Sequence, residues 1–300
     1  MKNVDVIIIG GGASGSAAAL TLGRSRQHVL LFDNDTNRNR VTRESHNFIT
    51  RDGMSPIAFR ERAQLDALAY PTVKKISATV ASIAKIGGGC EVTTGEGEVF
   101  VAKRILIATG VQEVFSHEQI RTYYGTSIFG CPFCDGYELR DQPLAVFAED
   151  EPAILHLTKL LSNWSADLVV FTNGKPVDKE AVKPLTEQGI SIQTNPISQL
   201  HGENGKLSSV ELLNGEQVLR RGGFVVPEYV RADPFAEQLQ LEKNDRDEII
   251  TDGFGRTNVL GVHIAGETEK KASSSLLMAS TAGNMAASMM VMDIANERFS

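Results

Sequence analysis

The stretch VDVIIIGGGASG, residues 4–15, decides the fold. Its first half is rich in β-branched residues and almost continuously apolar, which is typical of a buried parallel strand. Residues 13–24 follow at once with the Ala and Leu content of a helix, and residues 28–32 have the pattern of a second strand. The sequence therefore predicts a βαβ unit with a glycine-rich first turn.

That turn has the spacing G-x-G-x-x-G, formed by Gly10, Gly12 and Gly15. Glycines let the backbone approach a pyrophosphate, whose charge is favoured at the amino terminus of a helix. Asp33 ends the second strand, where its carboxylate can accept hydrogen bonds from a ribose diol. A glycine turn without a ligand is the alternative, but the order of strand, helix and acidic residue favours a dinucleotide site. The motif leaves FAD and a nicotinamide dinucleotide both open.

Further along the chain, residues 55–68 predict a helix, and residues 104–108 predict another buried strand that ends at Thr109 and Gly110. Between them, three alternating segments predict an antiparallel meander at residues 80–86, 89–94 and 99–101. Near the end, residues 248–251 and 261–265 have strand patterns, and a long helix follows Gly266 and Glu267.

The βαβ pattern repeats in the middle of the chain as a strand at 144–147, a helix at 152–163 and a strand at 168–171. Superposing the two units aligns Ala148, Asp150 and Ala153 with the three glycines, and Thr172 with Asp33. The architecture is repeated, but the phosphate-binding chemistry is not.

A length of 300 residues with 42% hydrophobic and 22% charged residues predicts two folded domains and excludes a disordered chain. The net charge of -7 argues against nucleic acid and anionic membrane surfaces as partners. Residues 276–295 form the one long apolar stretch, but Ser280, Asn284 and Asp293 favour a core helix over a membrane span. The apolar run ending at Gly10 has no cleavage site behind it, and three cysteines are too few for a secreted disulfide framework, so a cytoplasmic protein is expected.

Two of the cysteines, Cys131 and Cys134, are separated by two residues, which allows a redox disulfide or half of a zinc site. Zinc would need two more ligands, but Cys90 lies in a strand pattern and no His pair has ligand spacing. We therefore expect a redox dithiol, no metal, and a core role for Cys90, with inert cysteines as the alternative. Asp135 follows directly, and a carboxyl beside a thiol pair can carry its proton, although a solvated turn residue is the other interpretation.

Four motifs together make the whole chain resemble low-molecular-weight thioredoxin reductases, which are class II pyridine nucleotide-disulfide oxidoreductases: GGGASG at 10–15, ATG at 108–110, CPFCDG at 131–136 and AGE at 265–267. The resemblance implies an α/β fold of two Rossmann-like three-layer domains, with FAD in the first βαβ unit. The FAD-binding domain is discontinuous, at residues 1–117 and 245–300. The inserted domain, at residues 118–244, resembles a nicotinamide domain and carries the cysteine pair.

The resemblance also implies site residues. Those assigned to FAD are Gly10, Gly12, Ala13, Ser14, Gly15, Asp33, Asn47, Thr109, Gly110, Gly266, Glu267, Ser274 and Ser275. Glu267 takes the place of a family Asp on the ribityl chain, and Ser274 and Ser275 replace an Arg-Gln pair near the isoalloxazine. Asn47 corresponds to an Asn beside the flavin. Its neighbour His46 is interpreted as a base near the flavin or, alternatively, as a hydrogen-bonded structural residue.

By the family pattern, the catalytic residues are Cys134 as the flavin-side sulfur, Cys131 as the exchanging sulfur and Asp135 as the proton carrier. The nicotinamide site departs from that pattern, because Glu149 and Asp150 would repel a pyrophosphate. Residues 172–175 offer one Lys where an arginine pair is usual. Little or no NADPH affinity is expected. Residues 131–138, CPFCDGYE, also resemble flavoproteins that oxidise small dithiols with oxygen and others without a nicotinamide site.

The sequence thus predicts an FAD-dependent dithiol/disulfide oxidoreductase. Its partner would be a thioredoxin-like protein or a small-molecule dithiol or disulfide, with a non-nicotinamide electron donor, and the resemblance implies a homodimer. Two alternatives stay open. One is an oxygen-dependent oxidase of small-molecule dithiols, and the other is a flavin-binding redox sensor without turnover.

Overall fold

The computed structural model describes residues 3–299. The strands are β1 (Asn3–Ile9), β2 (Val29–Phe32), β3 (Val73–Ile76), β4 (Val80–Ile86), β5 (Gly89–Thr94), β6 (Val99–Ile107), β7 (Val111–Val114), β8 (Ile128–Phe129), β9 (Leu144–Phe147), β10 (Leu168–Phe171), β11 (Ser191–Gln193), β12 (Ile197–Glu203), β13 (Lys206–Leu212), β14 (Gln217–Leu219), β15 (Gly222–Val225), β16 (Glu228–Arg231) and β17 (Val262–Ile264). The helices are α1 (Ala13–Arg24), α2 (Pro56–Leu68), α3 (Ile120–Tyr123), α4 (Pro132–Asp135), α5 (Glu151–Leu161), α6 (Lys179–Thr186), α7 (Phe235–Gln238), α8 (Glu267–Lys270) and α9 (Leu276–Phe299), with a 3-10 turn at Arg38–Val41.

The chain divides into two units. The first comprises Met1–Arg40, Ser55–Gln112 and Tyr229–Ser300, and the second comprises Val41–Met54 and Glu113–Glu228. The expected fold class is confirmed, because each unit is built on a sheet with a parallel core.

The sheet of the first unit has the order β3-β2-β1-β6-β5-β4, and β17 also pairs with β6. Strands β1, β2, β3, β6 and β17 are parallel, whereas β4, β5 and the first half of β6 form the predicted antiparallel meander. The alternation of side chains along β1 divides the core, since Val6 and Ile8 pack with α1 and α9 on one face, and Ile7 and Ile9 pack with α7 on the other.

The second unit has a parallel sheet of order β11-β10-β9-β15-β8 and a separate antiparallel sheet of β12, β13 and β14. Its centre is the predicted repeat, in which β9, α5 and β10 form a βαβ unit whose strands are parallel. Apolar side chains such as Val146, Ile154 and Val170 are completely buried between this sheet and α5.

The unit boundaries differ from the predicted domain boundaries in three places. The chain passes between the units at 112/113 and 228/229, where the sequence predicted 117/118 and 244/245. Phe235, Leu239 and Leu241 are buried in the core of the first unit, so the stretch before residue 245 belongs to that unit. Residues 41–54, expected in the first domain, instead contact residues of the second unit, as described below.

One predicted strand is wrong. Residues 248–251 do not form a strand, because Ile249 makes only an isolated antiparallel bridge with Lys243 and its amide donates to Glu269 O outside that bridge. The segments 99–101 and 104–108 are parts of one strand, β6. In the described residues, no helix is both long enough and apolar enough to cross a membrane. The terminal helix α9 buries Gly283, Ala286 and Met290, as expected of a core helix.

Candidate active site

The turn after β1 requires glycine at two positions. Gly10 has φ +104°, and a Cβ placed on it would lie 2.3 Å from Ala108 O. A Cβ on Gly15 would lie 1.8 Å from Gly10 O. Any side chain at either residue would force the backbone of β1, β6 and α1 apart, so these glycines form the turn itself.

Gly12 is different, because a Cβ on it would meet nothing within 4 Å. It is the N-cap of the 12-residue helix α1, and no side chain caps that helix. Beside it, the buried Ser14 Oγ has no hydrogen-bond partner among residues 3–299. An uncapped helix terminus with open space in front of it and an unsatisfied hydroxyl nearby fits an anion such as a pyrophosphate.

Asp33 is buried at the end of β2. Its Oδ2 accepts a hydrogen bond from Gln64 Nε2 at 2.5 Å, and Lys75 Nζ and Arg60 Nε lie 3.7 and 3.9 Å away. A carboxylate has about four acceptor positions, so Asp33 keeps capacity for a ribose diol while these neighbours fix its position.

Glu267 is the first residue of α8. Arg38 donates two hydrogen bonds to its carboxylate, from Nε at 2.8 Å and from Nη2 at 2.5 Å. The Ser274 amide also donates to Glu267 Oε1, at 2.7 Å. The negative charge of Glu267 is therefore paired with the positive charge of Arg38, a residue that the sequence analysis did not identify. Glu267 Oε2 lies 3.8 Å from the position of a Cβ on Gly110, so the predicted turns at 109–110 and 266–267 lie together.

The remaining predicted flavin residues of the first unit lie around the same two turns. The Gly110 amide donates to Thr268 Oγ1 at 2.7 Å, and Thr109 Oγ1 lies 3.5 Å from that same hydroxyl. A Cβ on Gly266 would lie 3.0 Å from the Ser14 side chain, so this turn adjoins the start of α1. In the segment before α9, Ser274 Oγ is buried and has no partner among the described residues, while Ser275 Oγ accepts from the Met278 amide at 3.2 Å.

These residues fit FAD. The free terminus of α1 suits a pyrophosphate, Asp33 suits a ribose, and the unsatisfied hydroxyls of Ser14 and Ser274 are polar groups that a bound ligand could satisfy. All three features lie in the first unit.

The cysteine pair lies in the second unit, at the short helix α4. Cys131 is the N-cap residue, and its carbonyl oxygen accepts from the amides of Cys134 and Asp135, both at 3.1 Å. Both cysteines are partly exposed, and Phe133 between them is 61% exposed. The pair is therefore held on one turn of helix and can be reached from solvent.

Asp135 has a strongly altered proton affinity. Its pKa is raised from 3.8 to about 8, first because the carboxyl is removed from water, then because the charges of Cys131 and Glu138 oppose its ionisation. A carboxyl beside two thiols that holds its proton at neutral pH is suited to general acid and base chemistry.

Asn47 contacts the segment that carries the cysteine pair. It belongs to the second unit, and its Nδ2 donates to Phe133 O, between the two cysteines, at 2.6 Å. His46 also lies in this segment, with its ring facing three carboxylates, which are those of Glu44, Asp52 and Glu138. The sequence analysis identified Asn47 as a candidate flavin residue, but it did not indicate that Asn47 contacts helix α4.

Cys90 is a buried free thiol on β5, and burial raises its pKa. It packs in the apolar core of the first unit, as the sequence analysis expected. No three His, Cys, Asp or Glu side chains within residues 3–299 are arranged as a metal site.

The second βαβ unit contrasts with the first at its helix terminus. Asp150 is the N-cap of α5, and its side chain accepts from the Ala153 amide at 2.9 Å. Glu149 accepts from Asn173 Nδ2 at 3.2 Å. Two carboxylates therefore occupy the place that corresponds to the open turn of the first unit.

Sequence and structure comparisons identify proteins to which this chain is similar. A family model described as pyridine nucleotide-disulphide oxidoreductase matches residues 4–147. Thioredoxin reductase aclD of Aspergillus oryzae is 30% identical over 280 residues, which cover 88% of this chain and 88% of that protein. The "Probable thioredoxin reductase" of Arthroderma benhamiae is 36% identical over 177 residues, 57% of this chain but only 44% of that protein. The crystal structure of TrxB from Bacillus anthracis, designated a candidate thioredoxin reductase, has a TM-score of 0.96 and 44% identity and covers 98% of this chain and 99% of that chain.

The fold and these matches define a pyridine nucleotide-disulfide oxidoreductase. Within that class, the chain belongs to the thioredoxin-reductase-like proteins and is an FAD-dependent disulfide oxidoreductase.

Proposed function

We propose that the protein exchanges electrons between FAD and an external dithiol or disulfide through Cys131 and Cys134, with weak or absent use of NADPH. The observation that carries this proposal is the combination of a partly exposed CxxC pair with Asp135, whose pKa is raised to about 8. FAD, when bound, supplies the two-electron acceptor or donor. The rest of the chemistry belongs to this chain's own residues.

Thiol–disulfide exchange proceeds by attack of a thiolate on a disulfide sulfur. When the Cys131–Cys134 disulfide oxidises an external dithiol, its S–S bond breaks, a new S–S bond forms in the substrate, and two protons leave the substrate thiols. Asp135 is suited to hold one of these protons, because its pKa lies near the working pH. Cys131 is proposed as the sulfur that the substrate reaches, and Cys134 as the sulfur on the flavin side.

Weak NADPH use is supported by the terminus of α5. Asp150 satisfies the Ala153 amide, an N–H that would otherwise be available to a pyrophosphate, and it adds a negative charge at the same place. Like charges a few Å apart repel by about 1–4 kcal/mol at effective dielectric constants from water to a protein surface. Since each 1.4 kcal/mol is about tenfold in affinity, the two carboxylates Glu149 and Asp150 are expected to weaken binding by two orders of magnitude or more.

The external partner is proposed to be a thioredoxin-like protein or a small-molecule dithiol or disulfide, in keeping with relatives that are named thioredoxin reductases. A homodimer and a cytoplasmic location are proposed on the family resemblance and the low cysteine count, and an electron donor other than a nicotinamide follows from the α5 terminus.

The test is anaerobic reduction of bound FAD by dithiothreitol, followed at the flavin absorbance band. We expect bleaching in the wild type and at least a hundredfold slower bleaching in Cys134→Ser and Cys131→Ser. Cys90→Ala is the matched control, because Cys90 is buried in the core of the other unit, and it should bleach at the wild-type rate. Equal rates in all four proteins would contradict the proposal, and an unreduced wild-type flavin would favour a redox sensor without turnover.

The closed terminus of α5 also favours a second candidate, an oxidase of small-molecule dithiols. If the nicotinamide site is lost, electrons from a dithiol need another acceptor, and oxygen is one that requires no binding site of that kind. Addition of dithiothreitol in air would then produce one hydrogen peroxide per dithiol consumed. Flavin that stays reduced in air, without peroxide, would exclude the oxidase.

A further inference from the structure

The segment before α2 contacts helix α4, at which the cysteine pair lies. Asn47 Nδ2 donates to Phe133 O at 2.6 Å, and the Asn47 amide donates to Asp52 Oδ1 at 2.9 Å. The backbone of Asn47 is left-handed, with φ +64°, a conformation that Asn adopts more readily than most residues. Ser45 and Met54 form an isolated antiparallel bridge that closes the loop. The loop therefore has a defined shape, and it fixes the position of the residue before Asn47.

That residue is His46, whose side chain is only 19% exposed. Its Nε2 lies 3.6 Å from Glu138 Oε1 and 3.6 Å from Glu44 Oε2, and its Nδ1 lies 3.5 Å from Asp52 Oδ2. These three carboxylates are the charged groups within 4 Å of the ring in the described part of the chain. The buried Nε2 has no hydrogen-bond partner among residues 3–299, and the carboxylates 3.6 Å away are close enough for a water to bridge them to the ring.

Glu138 connects this cluster to the redox pair. It lies three residues after Asp135, and its charge is one of the causes that raise the Asp135 pKa. The cluster also reaches solvent, because the side chains of Asp52 and Glu44 are 69% and 59% exposed. Asp135 is half-buried next to the cysteines and has to return its proton to water before each new turnover. The cluster around His46 thus extends from Glu138, whose charge acts on Asp135, to two carboxylates that are exposed to solvent.

We propose that His46 is a positioning residue for proton transfer, which receives the Asp135 proton through Glu138 and passes it to water beside Glu44 and Asp52. This proposal rests on the proposed function of the cysteine pair. The step moves one proton and no electrons. The O–H bond of Asp135 breaks, Glu138 takes the proton and gives it to Nε2 of His46, and water removes it. An imidazole suits the last position because one of its ring nitrogens can accept a proton while the other donates one.

The experiment compares His46→Gln with the wild type in anaerobic reduction of bound FAD by dithiothreitol from pH 5.5 to 9. His201→Gln is the matched control, because His201 also faces a carboxylate, Glu211, at 2.6 Å in the same unit. We expect His46→Gln to bleach about tenfold more slowly at pH 7, with a changed pH profile, and the control to match the wild type. Imidazole in the buffer should restore the rate of His46→Gln, which a merely structural role would not allow.

A second readout does not use the flavin. The reduced cysteine pair is alkylated with iodoacetamide over the same pH range, and the product is measured by mass spectrometry. We expect the pH profile of alkylation to differ between His46→Gln and the wild type. If His46→Gln does not fold, Glu138→Gln, which changes a 41% exposed side chain, should show the same slow bleaching.

The outcomes separate the two proposals. A wild-type flavin that dithiothreitol reduces through the cysteines, with an unchanged rate and pH profile in His46→Gln and Glu138→Gln, overturns the role of His46 alone. Slow bleaching without imidazole rescue also overturns it, since it indicates a structural defect. A wild-type flavin whose reduction does not depend on Cys131 and Cys134 overturns both proposals.

Discussion

Asp150 accepts a hydrogen bond from the Ala153 amide at 2.9 Å and so caps α5 with a carboxylate. The corresponding residue of the first βαβ unit, Gly12, leaves the terminus of α1 without a side-chain cap. The two units share a strand-helix-strand architecture, yet only the first presents an open, positive helix end to a ligand. This contrast supports the proposed loss of NADPH affinity in the second unit, alongside a retained flavin site in the first.

Removing the carboxylate should partly reverse that loss. Asp150→Gly exposes the terminus of α5 and deletes one repulsive charge. We therefore expect the affinity for NADPH to rise at least about tenfold. The stability cost should be a few tenths of a kcal/mol, because Gly is itself an acceptable N-cap. Binding is measured by fluorescence titration. Asp178→Gly, which removes the side-chain cap of α6, is the control and should leave NADPH binding unchanged. Identical NADPH affinity in Asp150→Gly and the wild type would mean that this carboxylate does not limit binding.

Gly12 should be needed for the cofactor and not for the fold. A Cβ at Gly12 meets nothing within 4 Å, whereas one at Gly15 would lie 1.8 Å from Gly10 O. We therefore expect Gly12→Val to fold and to lose most of its FAD, while Gly15→Val fails to fold stably. Absorbance at the flavin band and far-UV circular dichroism measure the two properties. Full FAD occupancy in Gly12→Val would place the pyrophosphate elsewhere.

The raised pKa of Asp135 should make the free energy of unfolding fall as the pH rises. The folded state holds its proton up to about pH 8, while the unfolded chain releases it near 3.8. Because the unfolded state binds fewer protons between those values, the free energy of unfolding falls as the pH increases through them. Asp135→Asn removes this effect, and we expect a gain of about 1–3 kcal/mol at pH 8 and a smaller gain at pH 5. Flavin reduction by dithiothreitol should slow about a hundredfold.

Denaturant unfolding at the two pH values measures the Asp135 effect. The control is Asp141→Asn, which changes an exposed carboxyl in the turn after α4. An Asp135→Asn gain that is equal at pH 5 and pH 8 would show that this carboxyl does not hold its proton in the folded protein.

Asn47 should act on the cysteine pair. Asn47→Gly keeps the left-handed backbone available but removes the hydrogen bond to Phe133 O. We expect normal FAD content and flavin reduction by dithiothreitol that is about 3- to 10-fold slower, in line with the loss of one hydrogen bond. Asn204→Gly, at another left-handed position of the same unit, is the control. Loss of FAD with unchanged thiol reactivity would support the family correspondence, in which this Asn lies beside the flavin.

The sequence predicted much of the fold because local patterns determine most of it. Both βαβ units, the meander and the terminal helix follow from apolar periodicity and glycine positions, and they are present within a residue or two, apart from the longer β6 and α9. The predicted strand at residues 248–251 was wrong, because Ile249 forms only an isolated bridge with Lys243 and its amide donates to Glu269. A short apolar run does not specify its partner.

The site was predictable where one motif contains the chemistry and not where distant residues meet. Gly10, Gly15 and Asp33 follow from a single fingerprint. The Arg38–Glu267 pair joins residues 229 positions apart, and no local pattern indicates it. The contact of Asn47 with Phe133 is equally nonlocal, with a separation of 86 residues. Such contacts depend on how the chain folds back on itself, and a single sequence does not contain that information.

The central claim is that electrons reach this flavin from thiols and not from NADPH. The most direct measurement is stopped-flow bleaching of the flavin band under argon, with millimolar NADPH in one experiment and millimolar dithiothreitol in the other. We expect dithiothreitol to bleach the flavin completely and NADPH to bleach it slowly or not at all. Complete bleaching by NADPH within a second, saturating at micromolar concentrations, would contradict the account and make the second unit a working nicotinamide site.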